Sequence, residues 1–230
     1  MVQTAHQFSQ TSTLTQQLDY LISLPEGYEA NPDQRYPLIL FLHGAGERGG
    51  NGMGIEAVCL QGLPKRLDAG AKLPFIVVSP QCPLDHWWSE YTDTLIGLLD
   101  ATIARYRVDT SRVYLTGLSM GGFGSWHLAW QYPERFAAVA PICGGLPWFI
   151  GLEGAAEKLK NMPLWVFHGA KDTVVPIEES RRIVNALKAV KGNVKFTVYR
   201  EARHDSWTKT YANPKLYEWL LQHTLPASKS

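Results

Sequence analysis

What this sequence lacks narrows its chemistry before any motif is read. Cysteine is scarce: Cys59, Cys82 and Cys143 are odd in number, widely spaced, and arranged neither as C-x-x-C nor beside a metal-ligand histidine. That excludes a disulfide-dense scaffold and a cysteine-based metal or redox motif. Free buried or half-buried thiols are the simple reading, with a bridge between any two of them left open. A surplus of one charge is also missing. Lys and Arg total 22 against 21 Asp and Glu, a net charge of +1, and the basic residues do not cluster, so the electrostatic footprint of nucleic-acid binding is absent. No run of about 18 apolar residues occurs, which argues against stable membrane insertion. The polar start "MVQTAHQFSQTSTLTQQ" has neither the basic nor the apolar segment of a secretory signal, so a cytoplasmic location is the expectation. Internal repeats, low-complexity tracts and Pro/Ser-rich linkers are absent too. The chain is therefore read as one continuous domain, 1–230, with its core over about 17–224. No motif fixes an oligomeric state.

What is present is a rhythm of short apolar runs: "LDYLISL", "YPLILFLH", "PFIVVSP", "RVYLTG", "FAAVAPI", "PLWVFHG" and "VKFTVYR". From the second onward they are nearly continuous in apolar residues, as strands buried on both faces should be. Between them, 91–107, 119–132, 177–191 and 214–224 carry helical patterning. Strands alternating with helices predict an α/β fold with a mostly parallel sheet of about seven or eight strands, flanked by helices on both faces. The alternating first run, followed by the turn-rich "PEGYEANPDQRYP", is expected to form an antiparallel edge hairpin with its neighbour. Ligands of such sheets sit at the carboxyl ends of the strands. There this sequence gathers "HGAGERGG", "GLSMGG", "HGAKD" and "EARHD", which suggests one site assembled from distant segments.

Gly117-Leu118-Ser119-Met120-Gly121 fits G-x-S-x-G directly after a predicted strand and before a predicted helix. A serine on that sharp turn projects its hydroxyl from the top of the sheet, and the flanking glycines let strand and helix approach closely. Such a hydroxyl needs a base, itself oriented by a third group. Of seven histidines, His204 follows the last strand in a loop free to reach over the sheet. His43 and His168 end strands in "HG" turns and read as shaping those loops, and His127 reads as a buried helix residue. Asp172, in the loop after the penultimate strand, is the orienting carboxylate; Asp205 is too close in sequence to His204, and Glu201, Asp109 and Asp100 lie at less suitable places. The chain order Ser119, Asp172, His204 is that of an α/β-hydrolase. For a developing oxyanion, each preorganised donor of which is worth about 2.7–4 kcal/mol, the backbone N–H of Met120 and that of Ala45 are assigned, with Gly46 next in line. The loop around Ala45 lacks the phosphate-cradling patterns. Glu47 and Arg48 within it are expected to form a local ion pair.

The ordered set "YPLILFLHGAGERG", "VVSPQCP", "YLTGLSMGGFGSW", "FAAVAPICGG", "VFHGAKDTVVP" and "HDSW" resembles compact α/β-hydrolase-fold serine esterases of the carboxylesterase, phospholipase-like and feruloyl-esterase-like kind, close to polyhydroxybutyrate-depolymerase-like hydrolases. The resemblance implies hydrolysis of a small-molecule carboxylic ester, short-chain or aromatic, through an acyl-enzyme. It implies no metal and no organic cofactor, and it points to Ser119, Asp172 and His204 with an oxyanion hole near Ala45 and Met120. Larger relatives insert a helical cap after the sixth strand. Here only 141–162, about twenty residues, is available, so minimal or no cap is expected. Trp88, Trp148 and Trp207 are the candidate substrate-binding residues, with Trp87 and Phe149 as further possible walls. A peptidase or acyltransferase would use the same residues, because acceptor choice depends on pocket shape and water exclusion. A non-catalytic hydrolase-like binding protein is disfavoured by the intact triad.

Overall fold

Most of the central strands are buried at every position, which leaves two apolar faces on one central sheet. The computed structural model describes residues 3–11, 15–50 and 52–226. Along these run β1 (Gln3–Thr11), β2 (Thr15–Ser23), β3 (Tyr36–Leu42), α1 (Gly62–Asp68), β4 (Ile76–Pro80), α2 (Thr92–Arg105), β5 (Val108–Leu118) and α3 (Met120–Gln131). Then follow β6 (Ala138–Ile142), α4 (Leu152–Leu159), β7 (Leu164–Gly169), α5 (Glu178–Ala189), β8 (Val194–Tyr199), α6 (Trp207–Tyr211) and α7 (Pro214–Leu221). The strand order is β1-β2-β4-β3-β5-β6-β7-β8. β4, β3 and β5 to β8 are parallel, and β1–β2 and β2–β4 are antiparallel.

The two-residue period of a strand divides the core. Leu38, Leu40 and Leu42 of β3 join one cluster with Leu95, Leu98 and Leu99 of α2, Trp126 of α3 and Ile183 and Leu187 of α5. Ile39 and Phe41 face the other cluster with Leu63 and Leu67 of α1, Tyr211 of α6 and Leu216 and Leu220 of α7. Fully burying such a side chain contributes roughly 1.5–3 kcal/mol, so helices on both faces are held by the sheet rather than by their own propensity. This is the α/β architecture with a mostly parallel sheet that the strand–helix rhythm predicts. The segment after β6 holds one short helix, α4 (8 residues), in keeping with a minimal cap.

Two expectations need correction. β2 is antiparallel, as the alternating run suggests, but its partners are β1 and β4, not β3: Tyr20 faces Pro80 and Ile22 faces Val78, so β4 intervenes. β2 is therefore interior, with Leu18, Tyr20, Leu21 and Ile22 buried, and the polar β1, absent from the sequence reading, forms the edge. The short helices α1, α4 and α6 were likewise unmarked by periodicity. No helix among the described residues is long and apolar enough to cross a membrane.

Candidate active site

The carboxyl ends of β3, β5, β7 and β8 carry the polar loops of the site. Ser119 lies between β5 and α3 with φ 52° and ψ −115°, a region that L residues with a Cβ rarely enter and that costs of order 1–3 kcal/mol. The turn is held by Ser119 N–H to Ile142 O (3.0 Å) and Phe123 N–H to Ser119 O (3.1 Å). Its glycines are steric necessities. A Cβ at Gly121 would lie 1.9 Å from Leu42 O, and one at Gly117 would lie 2.3 Å from Gly121 O.

His204 and Asp172 arrive from the loops after β8 and β7. His204 Nε2 is 3.0 Å from Ser119 Oγ, and His204 Nδ1 is 2.8 Å from Asp172 Oδ2. With a carboxylate as its acceptor, Nδ1 carries the proton, so Nε2 is left to accept the serine hydroxyl's. The Asp172 side chain is fully buried and the His204 ring is 19% exposed. Asp172 Oδ1 accepts the N–H groups of Val174 and Val175, both at 2.9 Å, so the carboxylate cannot rotate without losing two hydrogen bonds. Asp205 instead accepts Thr208 N–H at the start of α6 (3.0 Å), and Asp109 binds Ser111 and Arg112 in its own turn.

His168, read from sequence as a loop-shaping residue, also reaches the acid. Its fully buried Nε2 lies 2.9 Å from Val175 O and 3.3 Å from Asp172 Oδ2. Both are acceptors, so Nε2 bears the proton, and Nδ1 lies 2.8 Å from Ser180 Oγ of α5, whose hydroxyl donates to Gly144 O at 2.7 Å. Burial lowers the His168 pKa, opposed by Val175 O and Asp172. His43 is the counterpart under the other loop: its Nε2 accepts Cys82 N–H (2.9 Å), its Nδ1 donates to Gly44 O (2.6 Å), and burial lowers its pKa to about 4.

The loop after β3 lies against the serine, because a Cβ at Gly44 would come within 3.7 Å of Ser119 Cβ. Ala45 is the first residue of the 3₁₀ turn Ala45–Glu47, and Met120 is the first of α3. First-turn N–H groups have no intrahelical acceptor. The Glu47–Arg48 ion pair expected from sequence does not form. Glu47 turns inward, where Oε2 accepts Gly44 N–H at 2.8 Å and burial raises its pKa. Arg48 turns outward, with Nε 3.2 Å from Met120 Sδ and its guanidinium 5.2 Å from the Trp87 ring centroid.

A cavity of about 620 Å³ reaches Met120, the residue after Ser119, and is walled by Trp87, Trp88, Phe123, Trp148 and Phe149. The three candidate tryptophans differ. Trp88 is a buried wall, its Nε1–H donating to His43 O (3.0 Å). Trp148 is 87% exposed at the rim. Trp207 is not among the residues lining this cavity; it stands edge-on to the His204 ring at 5.1 Å and donates to Gln61 Oε1 (3.2 Å). Across the cavity, Arg182 pairs with Glu179 at 3.1 Å.

All three cysteines are free thiols. Cys143 Sγ lies within 4.8 Å of the Asp172 and His204 ligand atoms. Burial pushes that thiol up to about 12, Asp172 and His204 are committed to each other, and a metal would require the thiolate. The donor set therefore does not suit one.

The phospholipase/carboxylesterase family profile matches residues 85–216, more than half of the chain and the part that holds Ser119, Asp172 and His204. The chain belongs to that family. This phospholipase/carboxylesterase family member is similar to a probable feruloyl esterase C of Aspergillus terreus, 30% identical over 174 residues that make up 73% of this chain and 59% of that protein. It thus spans about three fifths of the length of the feruloyl esterases it matches. Among solved structures it is similar to a thermostable esterase, with a TM-score of 0.78 and 33% identity over 96% of this chain and 63% of that one. A feruloyl esterase module from Clostridium thermocellum complexed with sinapinate shares the fold, with a TM-score of 0.66 and 18% identity over 94% of this chain and 87% of that one.

Proposed function

We propose that the protein is a serine carboxylesterase acting on small esters with a short or aromatic acyl group, with Ser119 as nucleophile, His204 as base and Asp172 as the orienting acid. The observation that carries this reading is the unbroken hydrogen-bond chain Ser119–His204–Asp172 (3.0 and 2.8 Å) ending on a doubly anchored carboxylate. His204 takes the Ser119 proton as Oγ attacks the ester carbonyl, and Asp172 holds the tautomer and stabilises the imidazolium. The N–H groups of Met120 and Ala45 receive the oxyanion, the first aided by the α3 dipole. The alcohol leaves with the proton from His204, and water releases the acid by the same steps in reverse. The aromatic cavity wall, and the similarity to a probable feruloyl esterase, support an aromatic acyl group.

Rates of hydrolysis of 4-nitrophenyl esters from acetate to palmitate, with feruloyl and cinnamoyl methyl esters alongside, test this in wild type and Ser119→Ala. Turnover that vanishes in the variant is the expected result. An enzyme that leaves every ester intact while cleaving a peptide amide would replace this reading with the peptidase one.

A further inference from the structure

The outward turn of Arg48 leaves a cation at the edge of the cavity with little to bind. Glu47, its sequence neighbour, is committed to Gly44 N–H. Glu90 lies near enough to feel Arg48, yet its two oxygens are taken by Trp87 N–H (2.7 Å) and His86 Nδ1 (2.8 Å). Among the described residues no carboxylate pairs with Arg48, whereas Arg182, a cation lining the cavity, is paired with Glu179. Of the five N–H donors of a guanidinium, only Nε has a hydrogen-bond partner among the described residues, and that is the Met120 thioether, a weak acceptor. The group is nevertheless held in place, half-buried, by the Trp87 face and by Met120, the residue that follows the nucleophile. Both of those residues line the cavity. A fixed, planar, unpaired guanidinium fits a carboxylate, which it binds through two parallel N–H···O bonds.

We propose that Arg48 is an anion subsite at the Trp87–Met120 edge of the pocket, and that the preferred ester carries a second, ionised carboxylate on the portion lying along Trp87. This rests on the esterase reading of Ser119. It makes Arg48 a specificity residue: it takes no part in acyl transfer and selects the substrate by charge.

The test compares 3-carboxyphenyl acetate with its neutral analogue 3-carbamoylphenyl acetate. The quantity read is the ratio of their kcat/KM values, in which the intrinsic reactivities cancel between enzymes. That ratio is expected to fall at least tenfold from wild type to Arg48→Gln and to recover in part in Arg48→Lys. In about 1 M sodium chloride, where the screening length shrinks to about 3 Å, the wild-type ratio should drop toward that of Arg48→Gln. A second measurement needs no turnover: calorimetric titration of Ser119→Ala with benzoate and with benzamide, repeated in Ser119→Ala/Arg48→Gln. Benzoate is expected to bind tighter than benzamide only while Arg48 is present. Equal ratios in wild type and Arg48→Gln, or equal affinities for benzoate and benzamide in Ser119→Ala, would overturn the proposal. Loss of the esterase reading would appear separately, as no turnover of either ester by wild type.

Discussion

The two sides of the cavity are built to different rules. On the triad side, Asp172 is sealed from solvent and held by two N–H groups, His204 and His168, and even the second histidine has partners on both ring nitrogens. On the opposite rim, Trp148 is 87% exposed, Phe149 55% and Trp87 50%; Trp148 meets Phe149, Phe149 meets His127, and Trp87 meets Arg48. The first arrangement fixes reacting groups before substrate arrives, which is where electrostatic catalysis gains most. The second leaves aromatic surface whose replacement disturbs no core. On the proposed reading, chemistry belongs to the buried side and selection to the exposed one, and the two should respond differently to substitution.

The largest break is at the nucleophile. Ser119→Ala should lower kcat/KM for any turned-over ester by about four to six orders of magnitude while the fold stays intact, seen as an unchanged thermal midpoint. Ser119→Gly, which also relieves the positive φ, should melt about 2–4 °C higher than Ser119→Ala for each kcal/mol of strain released.

The second break tests the buried support. His168→Phe removes the donor to Val175 O and Asp172 and the ring nitrogen beside Ser180 Oγ. It should lower kcat by about 10- to 100-fold with KM little changed, and lower the melting temperature. Loss of stability with kcat preserved would make His168 a fold residue only.

The third is a matter of pH. His43 has its folded pKa depressed to about 4 from an ordinary 6.5, so the unfolded chain binds the proton first as pH falls. The stability its neutral ring contributes is fully present above about pH 6.5 and drains away as pH drops toward 4, by at most about 3 kcal/mol. Urea unfolding at pH 7, 5.5 and 4.5 should show this slope in wild type, and a shallower one in His43→Gln from a lower starting stability. Parallel slopes would remove His43 from the account.

The smallest effects sharpen the contrast on the rim. Trp148→Ala should leave the melting temperature unchanged and lower kcat/KM for aromatic esters by about three- to tenfold, with acetate esters less affected, as loss of a partial rim contact worth about 0.7–1.4 kcal/mol would do. Trp88→Ala, by comparison, should destabilise the fold by about 3–5 kcal/mol, because that ring is buried beneath Gly124 and His43. Equal stability losses in the two variants would erase the distinction between wall and rim.

Strands β2 to β8 were legible in sequence because burial on one or both faces forces apolar runs or alternation. β1 was not, since "QTAHQFSQT" is an edge whose pairing with β2 is made by backbone hydrogen bonds that leave little mark on side-chain choice. Ser119, Asp172 and His204 could be picked out by type, order and strand end. Three finer relations were hidden because they depend on direction rather than spacing. Glu47 and Arg48 are adjacent yet point to opposite sides of their loop; Trp207 follows His204 closely but stands behind it; and His168 meets Asp172 across a strand–loop bend that carries no periodic signal.

The central claim is that Ser119 becomes acylated. Rapid acid quench of wild type mixed with 4-nitrophenyl acetate, followed by peptide mapping by mass spectrometry, tests it directly. The account predicts one acetyl group on the peptide containing Ser119, formed at the rate of the 4-nitrophenol burst and absent from Ser119→Ala. An acetyl group on another residue, or a burst that persists undiminished in Ser119→Ala, would contradict it.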